Sequence, residues 1–168
     1  MNFRVTSRCP VTSTSRSGPA WKTCSRMTTN DPTYLLDTTV VVDLLRTNSS
    51  AIRKRLTERT KSVVGLSVIT LCELQFGLEL RANKYPHLRE SEERKLSTII
   101  DPFQCFPLTR EVMHSYGRIR SHLQVFGTGI GPLDTLIAAQ AVSLDAILVT
   151  SNVHEFRRVP KLRLEDWR

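Results

Sequence analysis

The sequence predicts an α/β domain whose central sheet is mainly parallel and carries helices on both faces. Short apolar runs of strand length stand at 34–38, 63–67, 104–108 and 146–150. Longer segments with apolar residues at helical spacing separate each run from the next. Strands that alternate with helices need crossovers lying over the sheet, which makes the sheet parallel and buries both of its faces.

Each element has its own warrant. Residues 34–38 are apolar enough for a buried strand, and a helix at 39–46 follows. Residues 50–61 read as an exposed, basic helix. Residues 63–67 form the second strand, and Ser67 or Val68 leads into a helix at 69–82 with Leu71, Leu74 and Leu78 on one face. A charged helix at 86–100 includes Arg89, Glu90, Glu92, Glu93, Arg94 and Lys95. After the third strand at 104–108, Thr109 can cap a helix to about 125, although Val112 stands where a capping box needs Glu. Gly127 and Gly129 mark a loop, and Pro132 suits the first turn of an Ala-rich helix through 144. The fourth strand at 146–150 and a short edge strand at 162–165 complete a sheet of four to five strands.

A chain of 168 residues has the size of one domain with a real core, and no apolar run approaches the length of a membrane span. The net charge of +8 is uneven: residues 1–26 carry five bases and no acid, leaving +3 for the rest. Residues 1–33 read as a disordered basic tail rich in Ser, Thr, Arg and Pro, with Met27 as an alternative start; the folded domain is 34–168. Cys9, Cys24, Cys72 and Cys105 form no CxxC pair and no metal-like cluster. Cys72 and Cys105 are expected in the core, and a reducing cytoplasm fits this usage.

Four polar residues interrupt segments that should be buried. Asp37 ends the first strand, Glu73 lies among Leu71, Leu74 and Phe76, Asp134 opens the Ala-rich helix, and Asn152 follows the fourth strand. Lone buried carboxylates are costly unless a cation meets them, so a shared divalent metal explains the set economically. Ligands of parallel sheets bind at the carboxyl ends of strands, which puts Asp37 and Asn152 at one edge, within reach of Glu73 and Asp134. Each residue also has a plainer reading. Asp37 can be a helix cap, Glu73 and Asp134 can be acids favoured by a helix dipole, and Asn152 can start a turn. Against the plainer reading, Glu73 shares a helix side with Phe76, Gly77 and Leu80, while Gln75 and Glu79 take the wet side. Asp43 reads as a helix-surface acid and His154 as exposed; Arg157, Arg158, Lys161 and Arg163 read as a solvated basic edge.

The blocks Leu36-Asp37-Thr38-Thr39, Ser67-x-x-Thr70-x-x-Glu73-Leu74-x-x-Gly77, Gly131-Pro132-x-Asp134-x-x-Ile137-Ala138-Ala139 and Val149-Thr150-x-Asn152-x-x-Glu155-Phe156, taken in order, resemble a PIN-domain ribonuclease. The closing Val159-Pro160-x-Leu162-Arg163-x-Glu165-Asp166-Trp167 is similar to the VapC toxins of VapBC toxin–antitoxin pairs. The resemblance runs from about 34 to 168. It implies a three-layer α/β/α PIN-like fold. It also implies that Asp37, Glu73 and Asp134 are acidic metal ligands, with Asn152 at a fourth position that relatives fill with Asp or Asn. Oxygen-only ligands select Mg²⁺ or Mn²⁺. The implied activity is an endoribonuclease toxin that cuts tRNA rather than ribosomal RNA. The implied partners are a VapB-type antitoxin and a second copy of the chain, with no membrane involved. Two positions depart from the pattern: Thr39 replaces an Asn or Ser, and Ser151 stands where Asn is common. They are the support for the alternative reading, a catalytically weak module that binds RNA or protein. A phosphatase with an Asp nucleophile would want a second Asp where Thr39 stands.

Overall fold

The computed structural model describes residues 32–59 and 62–168. The expected basic tail falls outside these up to position 31, Met27 included, while Thr33 already belongs to the first strand. Five strands form one sheet: β1 (Thr33–Leu36), β2 (Val63–Ser67), β3 (Gln104–Phe106), β4 (Ile147–Val149) and β5 (Arg163–Glu165). Their order is β3-β2-β1-β4-β5, and each neighbouring pair is parallel. From β1 the chain therefore builds outward to β3 and then returns to the other side of β1. The gap at the carboxyl ends of β1 and β4 is the point where strand order reverses, and ligands of open parallel sheets favour that crevice.

The alternation of side chains along β1 sorts the two halves of the core. Tyr34 and Leu36 point to the face packed by α1 (Thr38–Thr47), α2 (Ser50–Glu58), α3 (Val68–Lys84) and α4 (Arg89–Ile100), where Val41, Leu44, Ile52, Leu74 and Leu78 join them. Leu35 points to the opposite face, under α5 (Arg110–Val125), α6 (Pro132–Ser143) and the short α7 (Val153–Phe156), with Ile119, Leu123, Ile137, Leu148 and Phe156. The result is the expected three-layer α/β/α arrangement. The C-terminal segment is pinned to the first face: the Arg59 guanidinium lies 4.8 Å from the Tyr34 ring and 4.9 Å from that of Trp167, and pairs with Glu165 at 2.9 Å.

Several local expectations need correction. The charged segment 86–100 is a 3-10 turn over Pro86–Leu88 followed by α4, and the third strand stops at Phe106, before Pro107, which has no N–H to give a ladder. The strand at 146–150 shortens to β4, and α7 was not foreseen. Thr109 occupies the N-cap of α5, yet its side chain makes no capping bond. Cys72 and Cys105 are exposed rather than in the core. The side of α3 that Glu73 shares is also not the core side: Phe76 is 64% exposed and Leu80 56%, while Thr70, Leu74, Leu78 and Ala82 are buried. Glu73 thus heads an exposed apolar stripe.

Candidate active site

Asp37 continues the line of β1, its N–H donating to the Val149 carbonyl at 2.9 Å, and its side chain is only 3% exposed. It occupies the N-cap position of α1 but makes no side-chain capping bond, so the plainer reading does not describe it. Instead its carboxylate is held by two hydroxyls. Thr39 donates to Oδ2 at 2.8 Å and Thr150, at the end of β4, donates to the same oxygen at 2.7 Å. Register makes this possible: Leu36 pairs with Val149, so the residues that follow them emerge side by side.

Ser67 ends β2 and its hydroxyl accepts the Ile69 N–H at 3.0 Å, which fixes the start of α3. One and a half turns on, half-buried Glu73 accepts the Thr38 hydroxyl through Oε2 at 2.5 Å. The two consecutive threonines that open α1 are therefore spent on the two acids, one each.

On the far side of the sheet, Gly131 caps α6 and Pro132 opens it, which sets Asp134 in the first turn. Its carboxylate folds back over Gly131: a Cβ built there would lie 2.5 Å from Asp134 Oδ2. The Asp134 carboxyl is pushed up to about 6, first by burial and then by the negative charges of Asp37, Glu73 and Glu155. A helix N-terminus favours an anion by about 1–2 kcal/mol in a partly buried setting. The Asp134 carboxyl is nonetheless shifted the other way, so burial and the neighbouring acids act against the dipole, and the helix end alone does not describe this residue.

Asn152 arrives at the same edge by its backbone. It is the N-cap of α7 without a side-chain cap bond, and its N–H donates to Thr150 Oγ1 at 2.9 Å. The neighbouring Ser151 N–H donates to Thr39 Oγ1 at 3.2 Å, so the two positions that depart from the expected pattern meet each other. The structure brings Asp37, Glu73 and Asp134 into one electrostatic neighbourhood, but among the described residues no three His, Cys, Asp or Glu side chains close into a metal cage.

Two residues escaped the sequence reading. Thr150 lies inside an apolar run and reads as strand, although a buried hydroxyl at a strand end is a signal that something accepts its proton. Glu155 sits in the first turn of α7 and contributes to the field on Asp134. Its presence in the same block as Asn152 was the available clue. Arg157, Arg158, Lys161 and Arg163 are exposed; Arg158 reaches the Gly129 carbonyl at 3.5 Å, whereas Arg163 opens β5 and pairs with Asp145 at 2.8 Å, at the amino end of the sheet away from the acids. His154 is exposed as expected.

The donor set is oxygen only, anionic and set at the crevice where strand order reverses, which fits a hard divalent cation. The sequence of residues 34–162 matches the PIN domain model. The chain belongs to the PIN-domain family. This PIN domain is 32% identical over 135 residues to Ribonuclease VapC2 of Rickettsia felis, a match covering 80% of this chain and 97% of that protein. It is 31% identical over 137 residues to the tRNA(fMet)-specific endonuclease VapC of Salmonella typhimurium, again covering 80% and 97%. In three dimensions it superposes on a chain of VapBC2 from Rickettsia felis bound to a promoter DNA fragment, with a TM-score of 0.75 at 30% identity, covering 81% of this chain and 99% of the other. The VapC-like character of the PIN domain thus rests on sequence and fold alike.

Proposed function

We propose that this protein is a divalent-metal-dependent endoribonuclease that acts as a toxin by hydrolysing RNA phosphodiesters, inhibits translation, and is restrained by a cognate antitoxin. The observation that carries the reading is the meeting of Asp37, Glu73 and Asp134 where strand order reverses, near enough that burial and the other acids push the Asp134 carboxyl up to about 6. Such an arrangement destabilises the bare protein and becomes favourable when a cation joins it. Asp37, Glu73 and Asp134 would hold Mg²⁺ or Mn²⁺, with Asn152 at the edge of the same set. When bound, the metal supplies activation of water and neutralisation of phosphodiester charge. The protein's own part is positional: Thr39 and Thr150 fix Asp37, Thr38 fixes Glu73, and Gly131 leaves room for Asp134. Exposed Arg157 and Arg158, which follow α7, would offer cationic contacts to the phosphate backbone.

Support for tRNA as substrate comes from the relative described as a tRNA(fMet)-specific endonuclease. Support for a VapB-type antitoxin comes from the VapBC complexes among the solved structures of similar fold. The stripe that runs from Glu73 to exposed Phe76 and Leu80 is an apolar lane leading to the acids. An antitoxin segment could follow it and present a basic side chain to them, and a homodimer would set two such sites beside a shared groove. Purified protein should cleave RNA with Mn²⁺ or Mg²⁺ and stop when the metal is chelated, and Asp37→Ala should abolish the activity. Equal cleavage by that variant would sink the proposal. Sequencing of RNA ends after induced expression then separates tRNA from ribosomal RNA.

A further inference from the structure

Asp37 has two carboxylate oxygens, and the structure uses them unequally. Both Thr39 and Thr150 donate to Oδ2, at 2.8 and 2.7 Å. Two donors satisfy the two lone pairs of one carboxylate oxygen, and among the described residues no hydrogen bond reaches Oδ1. The hydroxyls are themselves oriented. A threonine hydroxyl has a single proton, and each proton here is committed to Asp37. Each oxygen is then free to accept, and does so: Thr39 from the Ser151 N–H at 3.2 Å, Thr150 from the Asn152 N–H at 2.9 Å. The Thr39 and Thr150 oxygens approach to 3.5 Å with no proton left to share between them.

The geometry points to a paired relay in which Thr39 and Thr150 make Asp37 a one-oxygen ligand, presenting Oδ1 to a cation, and lock the 151–152 turn to the same carboxylate. The inference rests on the metal-dependent reading for its ligand, but the relay itself is a property of the metal-free protein. Two consecutive backbone amides polarise two hydroxyls, and both hydroxyls converge on one acid. Such chains strengthen each member and restrict rotation of the carboxylate about its terminal bond. They also connect the ends of β1 and β4, so that the turn carrying Asn152 is fixed by the group that anchors the site. Thr39 and Thr150 are positioning residues, acting through Asp37.

The test uses Thr39→Val and Thr39→Ser, since half-buried Thr39 can be altered with little effect on the core, and Thr150→Ser as the buried counterpart. Calorimetric titration with Mn²⁺ alone, without RNA, reads cation affinity. Amide hydrogen exchange of the metal-free protein by NMR reads the turn. Thr39→Val should weaken Mn²⁺ binding by about ten-fold, the usual cost of losing a group that orients a metal ligand. It should also speed exchange of the Ser151 amide by about ten-fold, as loss of one hydrogen bond predicts. Both serine variants, which keep the hydroxyl, should stay within about two-fold of the unaltered protein on both readouts. Unchanged affinity and exchange in Thr39→Val would overturn the relay, as would a serine variant that loses as much as valine. If the unaltered protein takes up no Mn²⁺, the metal reading fails, and the exchange measurement alone then decides whether the relay exists.

Discussion

Asp37 and Asp134 are two aspartates at one crevice, yet the protein treats them in opposite ways. Asp37 is almost fully buried and is met by two neutral hydroxyls. Asp134 is half-buried, receives no hydrogen bond from any described residue, and carries the repulsion of three other acids. One carboxylate is held in place by the fold. The other sits in the first turn of α6, at an electrostatic cost that the fold leaves unrelieved. The difference teaches that anchoring and destabilisation are assigned to different residues of one crevice.

The largest effect should follow from Asp134→Asn. In the proposed role, loss of this ligand should reduce RNA cleavage by about a thousand-fold, equivalent to several kcal/mol of charge stabilisation. Stability should move the other way. The Asp134 carboxyl titrates at about 6 in the folded protein against 3.8 in the unfolded chain, so the folded state holds the proton more tightly. The penalty is absent below about pH 4, grows as pH rises towards 6 and is complete above it. After discounting for partial solvent access, Asp134→Asn should stabilise the metal-free protein at pH 7 by about 1–2 kcal/mol, a few degrees in melting temperature, and by nothing at pH 4. Thermal melts at the two pH values check the sign. A variant that melts lower at pH 7 would show that Asp134 is not the strained partner.

A subtler way to break the comparison is to disturb Asp134 without removing it. Gly131 has an ordinary φ of −53°, so Gly131→Ala brings no backbone strain. Its new methyl would instead occupy space 2.5 Å from Asp134 Oδ2, and the carboxylate must turn away. We expect cleavage to fall by about 10- to 100-fold, since displacements near 1 Å carry costs of that size, while the melting temperature changes little. If activity survives intact, the exact orientation of Asp134 matters less than its charge. The same substitution should leave the Asp37 relay untouched, because Gly131 belongs to the opposite layer.

The parallel sheet, its two helical layers and the edge that gathers the acids were all legible in the sequence. Alternating short apolar runs and helical spacings report period and burial directly. The contrast between Asp37 and Asp134 was not legible. It depends on Thr150, whose hydroxyl meets Asp37 across two strands that are distant in sequence, and no local pattern reveals a register. The misplacement of Phe76 and Leu80 has a related cause. Helical spacing groups apolar residues on one side of α3 but does not say whether that side meets the core or another molecule, and Leu74 and Leu78 took the core. Cys72 and Cys105 went wrong for the converse reason, since apolar neighbours in sequence are not neighbours in space. Asn152 was found for its side chain, and it is the backbone N–H that the structure ties to Thr150.

The smallest expected effect concerns Glu155, the last and weakest of the acids acting on Asp134. It lies on α7, one turn beyond Asn152, and is half-buried. Glu155→Gln keeps the shape and removes the charge, with an amide NH₂ donor in place of one carboxylate oxygen. With one repulsive neighbour gone, the Asp134 carboxyl should move down from about 6 towards 3.8, by less than the full distance, because burial, Asp37 and Glu73 remain. A single interaction of this partly solvated kind is worth about 0.2–1 kcal/mol. Mn²⁺ affinity at pH 7 should therefore fall by roughly two- to five-fold. The pH below which protons compete with the metal should fall as well, read by repeating the titration between pH 5 and 7. A loss as large as that of Asp134→Asn would mean that Glu155 holds the cation itself. No change in either readout would confine the contrast to Asp37, Glu73 and Asp134.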